Sequence, residues 1–444
     1  MIKVEGFNKA KGLLSRKNYW ESFTSSEEEE VVERIIADVR NRGDEAVFNY
    51  TRKLDGVELG SLEVSKNEIL SAYNEIDKEL ISALELAAGK IHAFHSALQR
   101  RITNMAKQSR TIDKYLGQQI HSLDRVGLYV PGGTAAYPST ALMMAIPASV
   151  AGVGEIIMTS PPAKGGKIPA ATLVAADIAS VNRLFKVGGA QAIAALAFGT
   201  QSIPKVDKIC GPGNIFVTLA KKRVYGVVAI DGLEGPSEAV IIADNTANPV
   251  LCAADLLAQA EHDPSASVIL LTTSAELANQ VDKEIAKQLT RLKRHSIATQ
   301  AINAGMIVLV DYVDQAVELA NLFAPEHLSL MVSQASSLID KIHNVGCIFV
   351  GENSPIVLGD YVAGPSHVLP TGGSARFSSP LSVTSFLKFS NIVALDEIAM
   401  RELSQAAIVI AKAEGLDGHA LAVEERLSQL SHHCESGADQ SHVI

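Results

Sequence analysis

Val31, Val32, Ile35, Ile36 and Val39 recur at the spacing of one helical face. Ser25-Ser26-Glu27-Glu28 precedes them in the order of a capping box, and Asn41-Arg42-Gly43-Asp44 closes the stretch. A long helix is expected near residues 78–104, so the first ~130 residues read mostly as helices. The rhythm changes at Arg125. Val126–Val130 runs into Pro131-Gly132-Gly133 and a helix from Pro138, and Ile156–Met158 into a loop and a helix near 168–178. Leu184–Val187 precedes Gly188-Gly189 and an alanine-rich helix to Phe198; Val206–Cys210 precedes Gly211-Pro212-Gly213-Asn214 and a helix to Val224. A second series runs through Ala239–Ala243, Ser267–Leu271, Gly305–Val310 and Cys347–Val350. Strands that alternate with helices imply parallel sheets with helical crossovers.

The expected fold is therefore α/β, with two Rossmann-like parallel-sheet domains that lack the usual GxGxxG turn. The expected division is an N-terminal arm (1–24), a first α/β domain in two pieces (25–128 and 238–380), an inserted α/β domain (129–237) and a helical C-terminal unit with a polar tail (381–444). Composition narrows the function. With 47% apolar and 20% charged residues in 444, the chain is globular. A net charge of -10 and the lack of a basic run argue against nucleic acid as the main partner. No apolar run is long enough to span a membrane, and Met1–Gly6 does not read as a signal peptide. Cys210, Cys252, Cys347 and Cys434 form no CxxC pair, so a reducing, cytoplasmic compartment is expected.

Candidate chemistry lies in a few short segments. In Phe323-Ala324-Pro325-Glu326-His327-Leu328, Pro325 suits the first position of a helix, which would place Glu326 and His327 in its first turn. A carboxylate and an imidazole side by side can activate water and move protons. Asn248-Pro249 opens a helix that ends at Glu261-His262, where Gln259 and His262 share a face. His262 is a good zinc ligand and Gln259 a weaker oxygen ligand; alternatively the histidine only complements the helix dipole. Gly359–His367 is a glycine-rich loop that holds Asp360 and His367, and Glu414–Ala420 sits between apparent helix ends at Gly415 and Gly418. The glycine turns after strands suit a phosphate or dinucleotide, though such turns occur in any α/β protein.

Gln259-Ala260-Glu261-His262, Phe323–Leu328, the Gly359–Gly373 loop with His367-Val368-Leu369-Pro370, and Glu414…His419 together resemble histidinol dehydrogenase, and the likeness runs to about Leu430. The resemblance implies a zinc-dependent, NAD-linked enzyme that oxidises an amino alcohol to an amino acid in two hydride transfers. It implies Gln259, His262, Asp360 and His419 as zinc ligands, with Glu326 activating water and His327 acting as acid and base. Substrate contacts would come from Ser237, Gln259, His262, His327, Asp360, His367, Glu414 and His419, and NAD contacts from Tyr129, Gln191 and Asn214. It further implies an intertwined homodimer with shared sites. One rival is a related zinc/NAD dehydrogenase of another small alcohol, such as a sulfonated diol, which Glu414 would repel. Another is a non-catalytic nucleotide- or metal-binding protein, which would have lost part of the Glu326–His327 or ligand set. Asp231-Gly232-Leu233-Glu234 departs from the Asp-Met-Pro-Ala common in the family and adds a negative charge near Ser237. Ser431–Ile444, with His432, His433, Cys434 and His442, extends past the pattern as a polar end.

Overall fold

The computed structural model describes residues 1–16, 25–108, 116–132 and 136–437. Part of the expected N-terminal arm and the last seven residues, His442 included, lie outside them. The strands are β1 (Ile2–Glu5), β2 (Leu116–Ser122), β3 (Arg125–Tyr129), β4 (Glu155–Ser160), β5 (Arg183–Lys186), β6 (Lys208–Cys210) and β7 (Ala229–Ile230). They continue as β8 (Glu238–Ala243), β9 (Ser267–Thr272), β10 (Met306–Leu309), β11 (His327–Met331), β12 (Cys347–Val350) and β13 (Leu387–Val393).

One compact unit comprises residues 1–99 and 122–387, and a second comprises 100–121 and 388–444. The first holds two sheets, ordered β1-β10-β9-β8-β11-β12 and β5-β4-β3-β6-β7. Every pairing in them is parallel, as the strand–helix alternation requires. β8 is buried at all six positions, which explains why Glu238-Ala239-Val240-Ile241-Ile242-Ala243 shows no polar alternation beyond its first residue. The helix Ser26–Arg42 begins with the reciprocal Ser25/Glu28 capping box and ends at Gly43, whose φ of 59° suits glycine. Its Val32, Ile35, Ile36 and Val39 pack in one core with Ile193, Leu196 and Phe185 of the five-stranded layer.

Five strands escape the periodicity reading: β1, β2, β7, β11 and β13. β1 falls in the expected arm, yet Ile2–Glu5 pairs with Met306–Leu309 at the edge of the six-stranded sheet. β2 and β13 pair with each other, within stretches read as helical. The second unit is otherwise built around the helices Glu397–Ala413 and Asp417–Gly437, whose shared core, among the described residues, buries Ile408, Ala411 and Ala420. Among the described residues, no helix is long and apolar enough to cross a membrane.

Candidate active site

Glu326 and His327 do not open a helix. The helix Val313–Phe323 ends before them, with Ala324 in the left-handed region at φ 53° and its N–H donating to Ala320 O at 2.8 Å. Pro325 is thus a stop after the helix, where it lacks the N–H to continue one. His327 then opens β11, paired with Ala239 of β8 and Cys347 of β12. His327-Leu328-Ser329-Leu330-Met331 is buried at every position between two strands, and this burial decides strand over helix.

The pair sits at the N-terminal edge of the six-stranded sheet, where Glu238 opens β8. Glu238 donates its backbone N–H to Glu326 Oε2 at 2.9 Å, and its carbonyl accepts from His327 Nδ1 at 3.2 Å. That carbonyl keeps a hydrogen on Nδ1 in either charge state, and Nε2 faces Asp360 Oδ1 at 3.2 Å. Phe349 lies beside the imidazole, with ring centroids 5.9 Å apart. Burial pushes the Glu326 carboxyl up to about 7, against the pull of His327. Burial opposes charging of His327 too, but Glu326 and Asp360 outweigh it and raise the imidazole to about 9. Asp360 is held below its usual range: burial pushes it up, but the hydrogen bond to His327 and the attraction of His327, His367 and His262 together outweigh that cost.

Asp360 gathers the other candidates. It lies in the short helix Ile356–Tyr361. Gln259 Nε2 donates to its Oδ2 at 3.4 Å, and its carbonyl accepts from His367 Nδ1 at 2.7 Å. The other His367 nitrogen, Nε2, therefore accepts from the Thr140 hydroxyl at 3.1 Å. Asn248 caps the helix Pro249–Ala260 through its side chain; Gln259 stands in the last turn and His262 just past the end, its N–H on Gln259 O. Burial lowers the His262 pKa, which favours the neutral, ligating form. Gln259 Oε1 is buried with no partner, a lone pair that a cation would satisfy. Among the described residues, no group of three or more His, Cys, Asp or Glu side chains is gathered as a metal site. Ser237 is half-buried directly before β8.

The nucleotide candidates cluster at the opposite edge of the other sheet, beyond the carboxyl ends of its strands. Tyr129 ends β3, and its hydroxyl accepts from Gly189 N–H at 3.1 Å. Gln191 follows in the helix Gly189–Phe198, with its Oε1 buried and unpartnered. Gly211, at φ 125°, passes so close that a Cβ would lie 2.1 Å from Tyr129 O. Asn214 is exposed and caps the helix Ile215–Val224 through Val217 N–H.

The added charge of Glu234 has a partner. Lys221, fully buried, places Nζ 2.5 Å from Glu234 Oε2, 2.6 Å from Asp231 Oδ1 and 3.0 Å from Gly211 O. Asp231 Oδ2 in turn accepts from Gly211 N–H at 2.6 Å. Glu234 is thus tied to the Gly211 turn rather than left free beside Ser237.

Glu414 and His419 belong to the second unit. They flank Gly415, whose φ of 73° separates its two long helices, and both are exposed. The sequence reading missed Glu238, Arg16 and Thr140. A lone acid heading the apolar run Ala239–Ala243 was the signal for Glu238; nothing local marked the other two.

The family model described as histidinol dehydrogenase matches residues 20–427. A histidinol dehydrogenase of Dehalococcoides mccartyi (strain CBDB1) is 52% identical over 438 residues, covering 96% of this chain and 99% of its own. One from Geobacillus kaustophilus is 48% identical over 429 residues, covering 96% of this chain and 100% of its own. The crystal structure of histidinol dehydrogenase from Elizabethkingia anophelis is similar with a TM-score of 0.90 at 36% identity, over 97% of this chain and 99% of that one.

Proposed function

The chain belongs to the histidinol dehydrogenase family of oxidoreductases in histidine biosynthesis, and on that premise we propose that it oxidises L-histidinol to L-histidine through bound L-histidinal. The reaction is a four-electron oxidation with NAD as acceptor and one zinc ion per subunit. The observation that carries this reading is the network in which His327, Gln259 and His367 converge on Asp360, with Glu326 beside His327.

Gln259, His262 and Asp360 would hold zinc from one chain, and His419 would complete the set from another. The nitrogen and oxygen donors suit zinc, and the unpartnered Gln259 Oε1 is consistent with a cation there. Bound zinc would orient the amino alcohol, and NAD would take up hydride. The chain's own groups handle the protons. His327 keeps its Nδ1 hydrogen on the Glu238 carbonyl; in its neutral form Nε2 takes the proton of the substrate hydroxyl, and the raised value of about 9 makes it a strong base for that step. Glu326, raised to about 7, is a strong enough base to draw a proton from water that adds to the aldehyde. Ser237, His367 and Glu414 would contact the substrate, and Tyr129, Gln191 and Asn214 of the inserted 129–237 domain would line the NAD site.

We place the active form as an intertwined homodimer. The second unit buries little of its own and leaves Ile398, Leu403, Val409, Ile410 and Leu421 exposed, which supports cover by a second copy. The buried free thiols of Cys210 and Cys252 are consistent with a reducing cytoplasm. The test is NADH production from L-histidinol, with and without zinc chelation. Two NADH per substrate and loss on chelation support the proposal; one NADH, or indifference to chelation, would overturn it.

A further inference from the structure

A second carboxylate lies behind the catalytic pair. Glu238 is 1% exposed, and its backbone touches both partners: N–H to Glu326 Oε2 at 2.9 Å, carbonyl to His327 Nδ1 at 3.2 Å. Its side chain is tied down in turn. Arg16 Nη1 donates to Glu238 Oε1 at 2.6 Å, and Gly372 N–H donates to the same oxygen at 3.1 Å.

Arg16 comes from far away in sequence yet meets three parts of the site. Its guanidinium lies 3.6 Å from the ring centroid of Phe323, the last residue of the helix that feeds Ala324-Pro325-Glu326. Its Cδ passes Gly373 so closely that a Cβ there would sit 3.2 Å away, and Gly373 holds φ 81°. The third contact is Glu238 itself. With the Arg16 side chain 12% exposed, the pair is largely out of water, where each charge depends on the other.

We propose that Arg16 and Glu238 are positioning residues for the dehydrogenase reaction: their ion pair fixes the backbone that aims Glu326 and His327. This rests on the assignment of Glu326 and His327 as the proton-handling groups. The pair touches no reacting atom. Its work is to hold the start of β8 against the end of the Val313–Phe323 helix, so that the Glu238 N–H and C=O stay at hydrogen-bond distance from both side chains. Displacements of about 1 Å in such a site lower turnover on the order of 100-fold.

The experiment is a double-mutant cycle on turnover with L-histidinol and NAD. Arg16→Met and Glu238→Gln are each made in the wild-type chain and in a His327→Asn background, with Arg16→Lys as the conservative variant. In the wild-type chain, kcat should fall roughly 10- to 100-fold while KM for NAD stays within about threefold, and Arg16→Lys should recover part of the loss. In the His327→Asn background the same changes should cost clearly less than in the wild-type chain, because one of the two groups they aim is already gone. Glu238→Gln keeps the shape and an acceptor, so it carries the test if Arg16→Met does not fold. Losses that multiply in full in the double mutants, or wild-type kcat in both single mutants, would overturn the proposal. Wild-type kcat in His327→Asn alone would instead overturn the catalytic assignment beneath it.

Discussion

Lys221→Met tests the ion cluster beneath the Gly211–Asn214 turn. The Lys221 ammonium is fully buried and meets Glu234, Asp231 and the Gly211 carbonyl at 2.5, 2.6 and 3.0 Å. Removing it leaves two carboxylates facing each other with no cation, and breaking a buried ion pair from one side costs about 3–5 kcal/mol. Glu234→Gln should behave differently. Lys221 and Asp231 already balance, so Glu234 is the excess charge. Burial first, and Asp231 second, push its carboxyl up to about 7 against the pull of Lys221. The amide keeps an acceptor for Lys221 and sheds the repulsion, so its cost at pH 7 should stay within about 1 kcal/mol. The pH dependence follows from the same shift. In the folded chain Glu234 keeps its proton to higher pH than its ordinary value of 4.5 allows once unfolded. Between those values the folded state binds more protons, so the stabilising contribution is full below about 4.5 and fades as pH rises toward 7. At a maximum of about 1.4 kcal/mol per unit, the loss is on the order of 1–3 kcal/mol. Urea unfolding of the wild type and both variants from pH 5 to pH 8 reads all three numbers. A Lys221→Met protein within about 1 kcal/mol of wild type, or a Glu234→Gln protein with an unchanged pH slope, would refute the reasoning.

Three further outcomes follow. His262→Ala should lower zinc content and turnover while far-ultraviolet circular dichroism stays near wild type; a fully active, zinc-free variant would sink the metal assignment. Glu326→Gln should slow oxidation of supplied histidinal more than the first hydride transfer from histidinol, whereas His327→Asn should harm both, and equal losses in Glu326→Gln would contradict a hydration role. Chains carrying His262→Ala and His419→Ala, unfolded together and refolded, should recover about a quarter of wild-type activity, because half the dimers are mixed and each holds one intact site of two. If activity stays at the level of the separate mutants, His419 does not serve the partner's site.

Local periodicity was enough for the frame. The capping box at Ser25, the stripe from Val32 to Val39, and eight of the apolar runs that became strands depend on neighbours in sequence, so they are written in short windows. β11 was not legible this way. Pro325 fits either the start of a helix or the stop after one, and only the burial of His327–Met331 between β8 and β12 decides. Four-residue strands such as β10 and β12 could be seen because they follow strand–helix alternation; β1 stands outside that alternation and joins the sheet only through β10, with Ile2 opposite Met306.

The site divides in the same way. Motif chemistry singled out Gln259, Glu326, His327, Asp360 and His367, which are unusual residue types in glycine- or proline-marked settings. Their common centre on Asp360 depends on how the chain returns between strands. The charge on Glu234 looked misplaced in sequence because Lys221, the residue that neutralises it, lies one helix earlier and points inward only once that helix packs. Arg16 and Glu238 stand 222 residues apart, and neither carries a local mark of the other. Secondary structure is set by contacts a few residues long, which a sequence displays directly. Buried charges must find partners wherever the fold brings them, and that pairing is decided by tertiary packing alone.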